Sequence, residues 1–116
     1  MSANDKFLIG HWLFDPMANT LSHTIATDQL EIKLDHKVAE VLQYLIAEQG
    51  KVVTRDELLD NLWPNQVIAD DVLNVAISSL RKALGDKPKQ PDFIKTIPRK
   101  GYQLISHVEK LEQEIK

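Results

Sequence analysis

Two hydrophobic periods divide the chain. Leu30, Ile32 and Leu34 alternate with Glu31 and Lys33, the two-residue repeat of a half-buried strand. Val38, Val41, Leu42, Leu45 and Ile46 then recur three and four residues apart, which is one stripe of a helix. Before the switch, Phe7 to Ile9 and Trp12 to Asp15 are rich in aromatic and β-branched or aliphatic residues, with Gly10 between them. Asp15-Pro16 followed by Asn19 marks a turn, because proline fixes φ and asparagine tolerates the left-handed region. Thr20 to Ile25 reads as a further short strand, so an N-terminal antiparallel sheet of three or four strands is expected.

Helices follow. Asp35 is placed to cap the first, and Gly50 to end it in a left-handed conformation. Thr54-Arg55-Asp56-Glu57 reads as a capping box, with the Thr54 hydroxyl accepting from the Glu57 N–H while that carboxylate reaches back. Leu58, Leu59 and Leu62 form the buried face of a short second helix, stopped at Trp63-Pro64 because proline disfavours helical geometry in the preceding residue. A loop from Asn65 to Ala69 leads to Asp70-Asp71, which cap a third helix. Its core stripe is Leu73, Ala76, Ile77, Leu80 and Leu84, and Gly85 closes it. Beyond a connector from Lys87 to Pro91, Phe93 to Ile97 and Tyr102 to Ile105 flank Pro98-Arg99-Lys100-Gly101, a hairpin in which Gly101 supplies a positive φ. The predicted architecture is α+β: an N-terminal antiparallel sheet, three helices and a C-terminal β-hairpin, in one domain over 1–106. Val108, Leu111 and Ile115 stand at helical spacing, so 107–116 reads as a linker or frayed helical tail.

Composition narrows the function. A chain of 116 residues that is 43% hydrophobic and 27% charged is one globular domain with a single core. Without cysteine there is no disulfide framework and no thiolate metal site, and His11, His23, His36 and His107 show no metal-ligand spacing. No cofactor or metal is expected. With no phosphate-binding glycine loop and no nucleophile elbow, an enzyme is not expected either. No apolar run has the length of a membrane span and no signal peptide opens the chain, so a cytoplasmic location is expected.

The net charge of −3 argues against a polyanionic partner until its distribution is considered. Residues 1–50 carry three basic and seven acidic side chains. From Arg81 to Gln103 there are seven basic residues (Arg81, Lys82, Lys87, Lys89, Lys95, Arg99, Lys100) against two acidic ones, Asp86 and Asp92. One end of the domain is therefore suited to meet a polyanion.

The second and third helices, joined by a short loop, have the form of a helix-turn-helix. Opposite its core stripe the third helix presents Asp71, Val75, Ser78 and Lys82, with Asn74 and Arg81 along one edge and Ser79 along the other. This face is small and uncharged in its middle and basic at its end. Asparagine can pair bidentately with adenine, serine can donate or accept, and an outward valine can meet a thymine methyl. Val75 packing against the hairpin is the competing reading. Arg99 and Lys100 at the hairpin tip are suited to a minor groove or to phosphate. Trp63 either caps the core or donates its indole N–H to phosphate.

Three blocks carry a family resemblance: Val53-Thr54-Arg55-Asp56-Glu57-Leu58-Leu59 with Leu62-Trp63-Pro64; Asp71 through Asp86; and Ile94-Lys95-Thr96-Ile97-Pro98-Arg99-Lys100-Gly101-Tyr102. In this order they resemble the OmpR/PhoB-type winged-helix family of bacterial transcription regulators, over about Ile9 to Ile105, and within it the ToxR/CadC-type subgroup. In that subgroup the DNA-binding domain comes first and a membrane helix later. The six residues before Phe7 leave no room for a phospho-receiver domain, which fits that order, with the tail leading towards a membrane segment. The resemblance implies base reading by Asn74, Val75, Ser78 and Ser79. It implies phosphate contact by Arg55, Trp63, Arg81 and Thr96, with Lys82 beside them and Arg99 and Lys100 at the wing tip. Many relatives carry arginine where this chain has Ser78 and Ser79, so weaker monomer binding and a dependence on dimeric or tandem sites are expected. The Asn65 to Ala69 loop corresponds to where relatives contact RNA polymerase. The alternative function is a winged helix used for protein contacts alone. Against it, basic residues stand on both the third helix and the wing.

Overall fold

Short turns make the N-terminal strands pair in the order in which they occur. β1 (Lys6–Ile9), β2 (Trp12–Asp15), β3 (Thr20–His23) and β4 (Glu31–Lys33) form an antiparallel meander, with Phe7 opposite Phe14, Trp12 opposite His23 and Leu21 opposite Ile32. The computed structural model describes residues 5–25, 30–64 and 71–111. Phe7, Ile9, Trp12, Phe14 and Leu21 are buried on the inner face, as the pleat requires of alternate positions. Asn19 turns the chain with φ 55°, the left-handed geometry that asparagine tolerates.

Among the described residues the helices are α1 (His36–Ala47), α2 (Arg55–Leu62) and α3 (Asp71–Leu84). Asp35 caps α1 by accepting from Lys37 N–H, and Thr54 caps α2 by accepting from Glu57 N–H. The return half of the capping box is put to another use: the Glu57 carboxylate accepts from the Tyr44 hydroxyl at 2.6 Å, joining α2 to α1. That bond, then burial and the repulsion of Glu57 and Glu48, push the Tyr44 hydroxyl up from 10.0 to about 12. Val41, Leu42 and Leu45 of α1, Leu58 of α2 and Leu73, Ile77 and Leu80 of α3 form the centre of the core. The Trp12 indole donates to the carbonyl of Leu84 at 3.1 Å, pinning the C-terminal end of α3 to the N-terminal sheet.

A second sheet has the order β5-β7-β6, made of β5 (Val52–Thr54), β6 (Ile94–Ile97) and β7 (Gly101–Leu104). The hairpin β6–β7 was expected; β5 was not. Three residues are too few to show a period, and Thr54 had already been assigned as a cap. Gly101 corrects the expected turn. Arg99 holds the positive φ, at 65°, and Gly101 is needed for close approach: a Cβ there would lie 1.9 Å from the Val53 carbonyl oxygen.

The C-terminal segment corrects the domain boundary drawn at residue 106. Val108 to Leu111 form a strand, β8, paired antiparallel to β1 with Ile9 opposite Val108 and Lys6 opposite Leu111. Lys110 reaches the buried Asp5 at 3.3 Å. A helix of ten or fewer residues is marginal in water, whereas the open edge of β1 offers backbone partners, so the edge wins. The expectations for Asp70, for the Asn65 to Ala69 loop and for Ile115 lie outside the described residues.

Candidate nucleic-acid interface

Helix α3 buries Leu73, Ala76, Ile77, Leu80 and Leu84 and turns Asp71, Val72, Asn74, Val75, Ser78, Ser79 and Lys82 to solvent. Val75 is 62% exposed, which removes packing against the hairpin as an account of it. The polar middle of this face sits on packed core, because Leu73, Ile77 and Leu80 beneath it are almost wholly buried. Lys82 extends from its C-terminal end.

Two arginines join α3 to the hairpin. Arg81 donates through Nη2 to the Ile94 carbonyl at 2.9 Å and to the Thr96 hydroxyl at 2.7 Å, tying the last turns of α3 to β6. Its Nε is buried without an acceptor, so geometry fixes this guanidinium against the strand at some polar cost. Arg55 at the start of α2 donates through Nη1 to Asn74 Oδ1 at 2.8 Å and to the Tyr102 hydroxyl at 2.9 Å. α2, α3 and β7 thus meet at one point. The structure gives Arg55, Arg81 and Thr96 bracing contacts within the fold, where the family resemblance implied phosphate contact; Tyr102 was missed as a participant. A tyrosine in a strand reads as core, and only the pairing of β7 brings its hydroxyl to α3.

Trp63 is buried at the end of α2, with the Lys37 ammonium 5.6 Å above its ring. Lys37 also donates to the Leu62 carbonyl, one of the groups at the helix end that the helix itself leaves without a partner. Trp63 thus packs as a cap on the core, and its indole N–H meets no acceptor among the described residues.

The wing tip is open. Pro98, Arg99 and Lys100 are exposed, and Lys100 N–H closes the turn on the Ile97 carbonyl at 3.0 Å. Arginine in left-handed backbone costs about 1–2 kcal/mol relative to a residue at ease there. The turn tolerates that cost and keeps a guanidinium at its apex. The basic stretch is also more positive at its surface than its sequence sum. Asp86 is buried, and its carboxylate accepts from the N–H groups of Asp92, Phe93 and Ile94 at 2.7, 3.2 and 2.9 Å. Among the described residues, Lys82, Lys87, Lys89, Lys95, Arg99 and Lys100 form no ion pair. The ion pairs lie instead around the N-terminal sheet and α1, on the side that carries the negative excess.

His11 and His23 approach to 6.1 Å between ring centroids, with Trp12 edge-on to His23 at 4.9 Å. Among the described residues no helix is long and apolar enough to cross a membrane.

Comparison with known proteins supports this reading. The chain is 37% identical over 113 residues to the cholera toxin transcriptional activator of Vibrio cholerae serotype O1, covering 95% of this chain and 38% of that protein. It is 33% identical over 98 residues to the transcriptional activator CadC of Escherichia coli, covering 84% of this chain and 18% of that protein. The chain thus spans well under half the length of these curated relatives. Among solved structures, the DNA-binding domain of E. coli CadC superimposes with a TM-score of 0.76 at 30% identity, over 90% of this chain and 94% of that one. The Klebsiella pneumoniae RstA DNA-binding domain, in complex with the RstA box, does so with a TM-score of 0.73 at 30% identity, over 88% and 98%. Residues 29–104 match the family described as "Transcriptional regulatory protein, C terminal". With three helices, an antiparallel sheet before them and a hairpin wing after them, this chain belongs to that family, as a winged-helix domain of the OmpR/PhoB type.

Proposed function

We propose that this domain binds double-stranded DNA by sequence to regulate transcription, with α3 in the major groove and the Pro98 to Gly101 wing on the minor groove or its phosphates. The observation that carries this is a single surface. The uncharged, exposed face of α3 at Val75, Ser78 and Ser79 is braced by Arg81 and Arg55 to a hairpin whose apex holds Arg99 in left-handed backbone. A solvated helix has no need of an exposed valine on a rigid platform beside unpaired cations; a groove reader has. Base contact falls to Asn74, Val75, Ser78 and Ser79, and phosphate contact to Lys82, Arg99 and Lys100. Arg55, Arg81 and Thr96 hold the two elements in register, and their remaining donors, with the Trp63 indole N–H, are proposed to meet phosphate beside them.

Membership in the family supports a regulatory role, and the resemblance to ToxR/CadC-type regulators supports a cytoplasmic domain of a membrane-anchored protein. Contact with RNA polymerase through the Asn65 to Ala69 loop and tandem binding on DNA extend the same reading. With Ser78 and Ser79 uncharged, a single domain gains little phosphate attraction from α3, which favours paired sites.

Fluorescence anisotropy tests the core of this. The protein is titrated against labelled duplex from the promoter upstream of its own coding sequence and against scrambled duplex, at two salt concentrations. Preference for the promoter, steep weakening with salt, and a salt slope shallower by about 2 in an Arg99→Ala, Lys100→Ala variant are expected. No binding by the folded protein at high concentration would instead leave a protein-interaction module.

A further inference from the structure

Among the described residues, Asn74 is the uncharged polar side chain on the exposed face of α3 whose orientation the fold dictates. An arginine guanidinium only donates hydrogen bonds, so the atom it meets at 2.8 Å must be the amide oxygen and not the nitrogen. The Tyr102 hydroxyl points a second donor at the same oxygen, at 3.5 Å, and is itself held by Arg55 at 2.9 Å. Arg55, Tyr102 and Asn74 form a closed triangle. Because the carboxamide is planar, its NH2 then faces away from β7. Among the described residues nothing accepts from Nδ2, and Asn74 is exposed. Two donors are offered outward and the acceptor is turned in.

We propose that Asn74, held by Arg55 and Tyr102, is a donor-only base reader that selects a keto base, guanine or thymine, in the major groove. This rests on the DNA-binding reading given above. Adenine is recognised by asparagine through a donor and an acceptor together, N7 accepting while N6–H2 donates. With Oδ1 committed to Arg55, the second half of that pair is lost, and the adenine and cytosine amino groups would face an NH2. Guanine offers two acceptors, N7 and O6, and thymine offers O4. The expectation of bidentate adenine pairing, natural from the residue type alone, is thereby replaced. Arg55 and Tyr102 are positioning residues for this contact.

Selection from a randomised duplex library followed by sequencing tests it, using the unmodified protein and the variants Asn74→Asp, Asn74→Ala and Tyr102→Phe. Asn74→Asp keeps an acceptor for Arg55 and replaces the outward donor by an acceptor. Its urea midpoint should stay at or above that of the unmodified protein. At one position the unmodified protein should enrich guanine or thymine. Asn74→Asp should shift that position alone towards adenine or cytosine by about tenfold, and Asn74→Ala should leave it without preference. Tyr102→Phe should blur the same position while the rest of the motif stands. Adenine enriched there by the unmodified protein and lost in both Asn74 variants would overturn the proposal, since the amide must then have turned. So would an unchanged motif with binding to all sequences weakened equally in Asn74→Asp, the mark of a phosphate contact. A Tyr102→Phe protein that loses affinity for every sequence but keeps the preference would remove the positioning role. Failure of the unmodified protein to enrich any sequence would remove DNA reading itself, and this proposal with it.

Discussion

Asp86→Asn isolates the force that holds the wing to the helices. The Asp86 side chain is 8% exposed and meets three backbone donors: Oδ1 accepts from Asp92 and Phe93, Oδ2 from Ile94. Asparagine has the same shape but one acceptor. Its carbonyl will serve the pair on Oδ1, which leaves the Ile94 N–H facing an NH2 at a position where Ile94 is fully buried. A buried donor without an acceptor costs about 1–3 kcal/mol, and the two surviving bonds lose the charge that strengthened them. A loss of about 3 kcal/mol is expected, which in a domain of this size lowers Tm by about 12 °C. Urea unfolding followed by circular dichroism measures it, with the midpoint shifting at constant m. Lys87→Ala, an exposed neighbour, serves as the control and should change stability by less than about 0.5 kcal/mol. If Asp86→Asn also falls within about 0.5 kcal/mol, the connector is not held by this carboxylate and the argument fails.

Three other perturbations follow from the same contacts. Arg99→Gly should separate stability from binding: relief of left-handed strain of about 1–2 kcal/mol, less the extra freedom glycine has when unfolded, gives a gain of about 0.5–1 kcal/mol. Its affinity for DNA should nonetheless fall, and a variant that binds as well as the unmodified protein would deny Arg99 its role. Gly101→Ala places a methyl group against the Val53 carbonyl and should cost at least about 3 kcal/mol in urea unfolding, or prevent folding; an unchanged midpoint would contradict the close approach of β7 to β5. Tyr44, raised to about 12 by its bond to Glu57, stabilises the fold below pH 10.0 and loses that contribution as pH rises towards 12. Ultraviolet titration should show an ionisation near 12 that is absent in Tyr44→Phe, and loss of an ionisation near 10 in that variant instead would rule the bond out.

The helices were legible because each carries a long enough period, and the first strands, though only three or four residues long, because their apolar residues are bounded by the turn signals at Gly10 and Asp15-Pro16. Val38 to Ile46 and Leu73 to Leu84 repeat over several turns, and the caps at Asp35 and Thr54 are local chemistry that a sequence displays. β5 and β8 were not legible, since no short turn sets either beside its partner and those partners lie some 50 and 100 positions away in sequence. The tail shows the ambiguity well: Val108 and Leu111 suit a helix by spacing, and only the vacant edge of β1 makes them a strand. The outward face of α3 was visible from its stripe. What its neighbours do was not. Arg55, Arg81 and Thr96 have the residue types of phosphate contacts, yet the folded chain joins them to Asn74, Tyr102 and the Ile94 carbonyl. The role of Gly101 depends in the same way on a strand the sequence did not reveal.

The most direct test of the shared surface is chemical-shift mapping. The 15N-labelled domain, with its backbone assigned, is titrated with a duplex that it prefers. The account predicts that the largest amide shifts fall on the exposed face of α3, from Asp71 through Lys82, and on Pro98-flanking residues Ile97, Arg99 and Lys100, while β2, β3 and β4 stay still. Shifts concentrated on the N-terminal sheet, or on α3 with the wing unmoved, would contradict it.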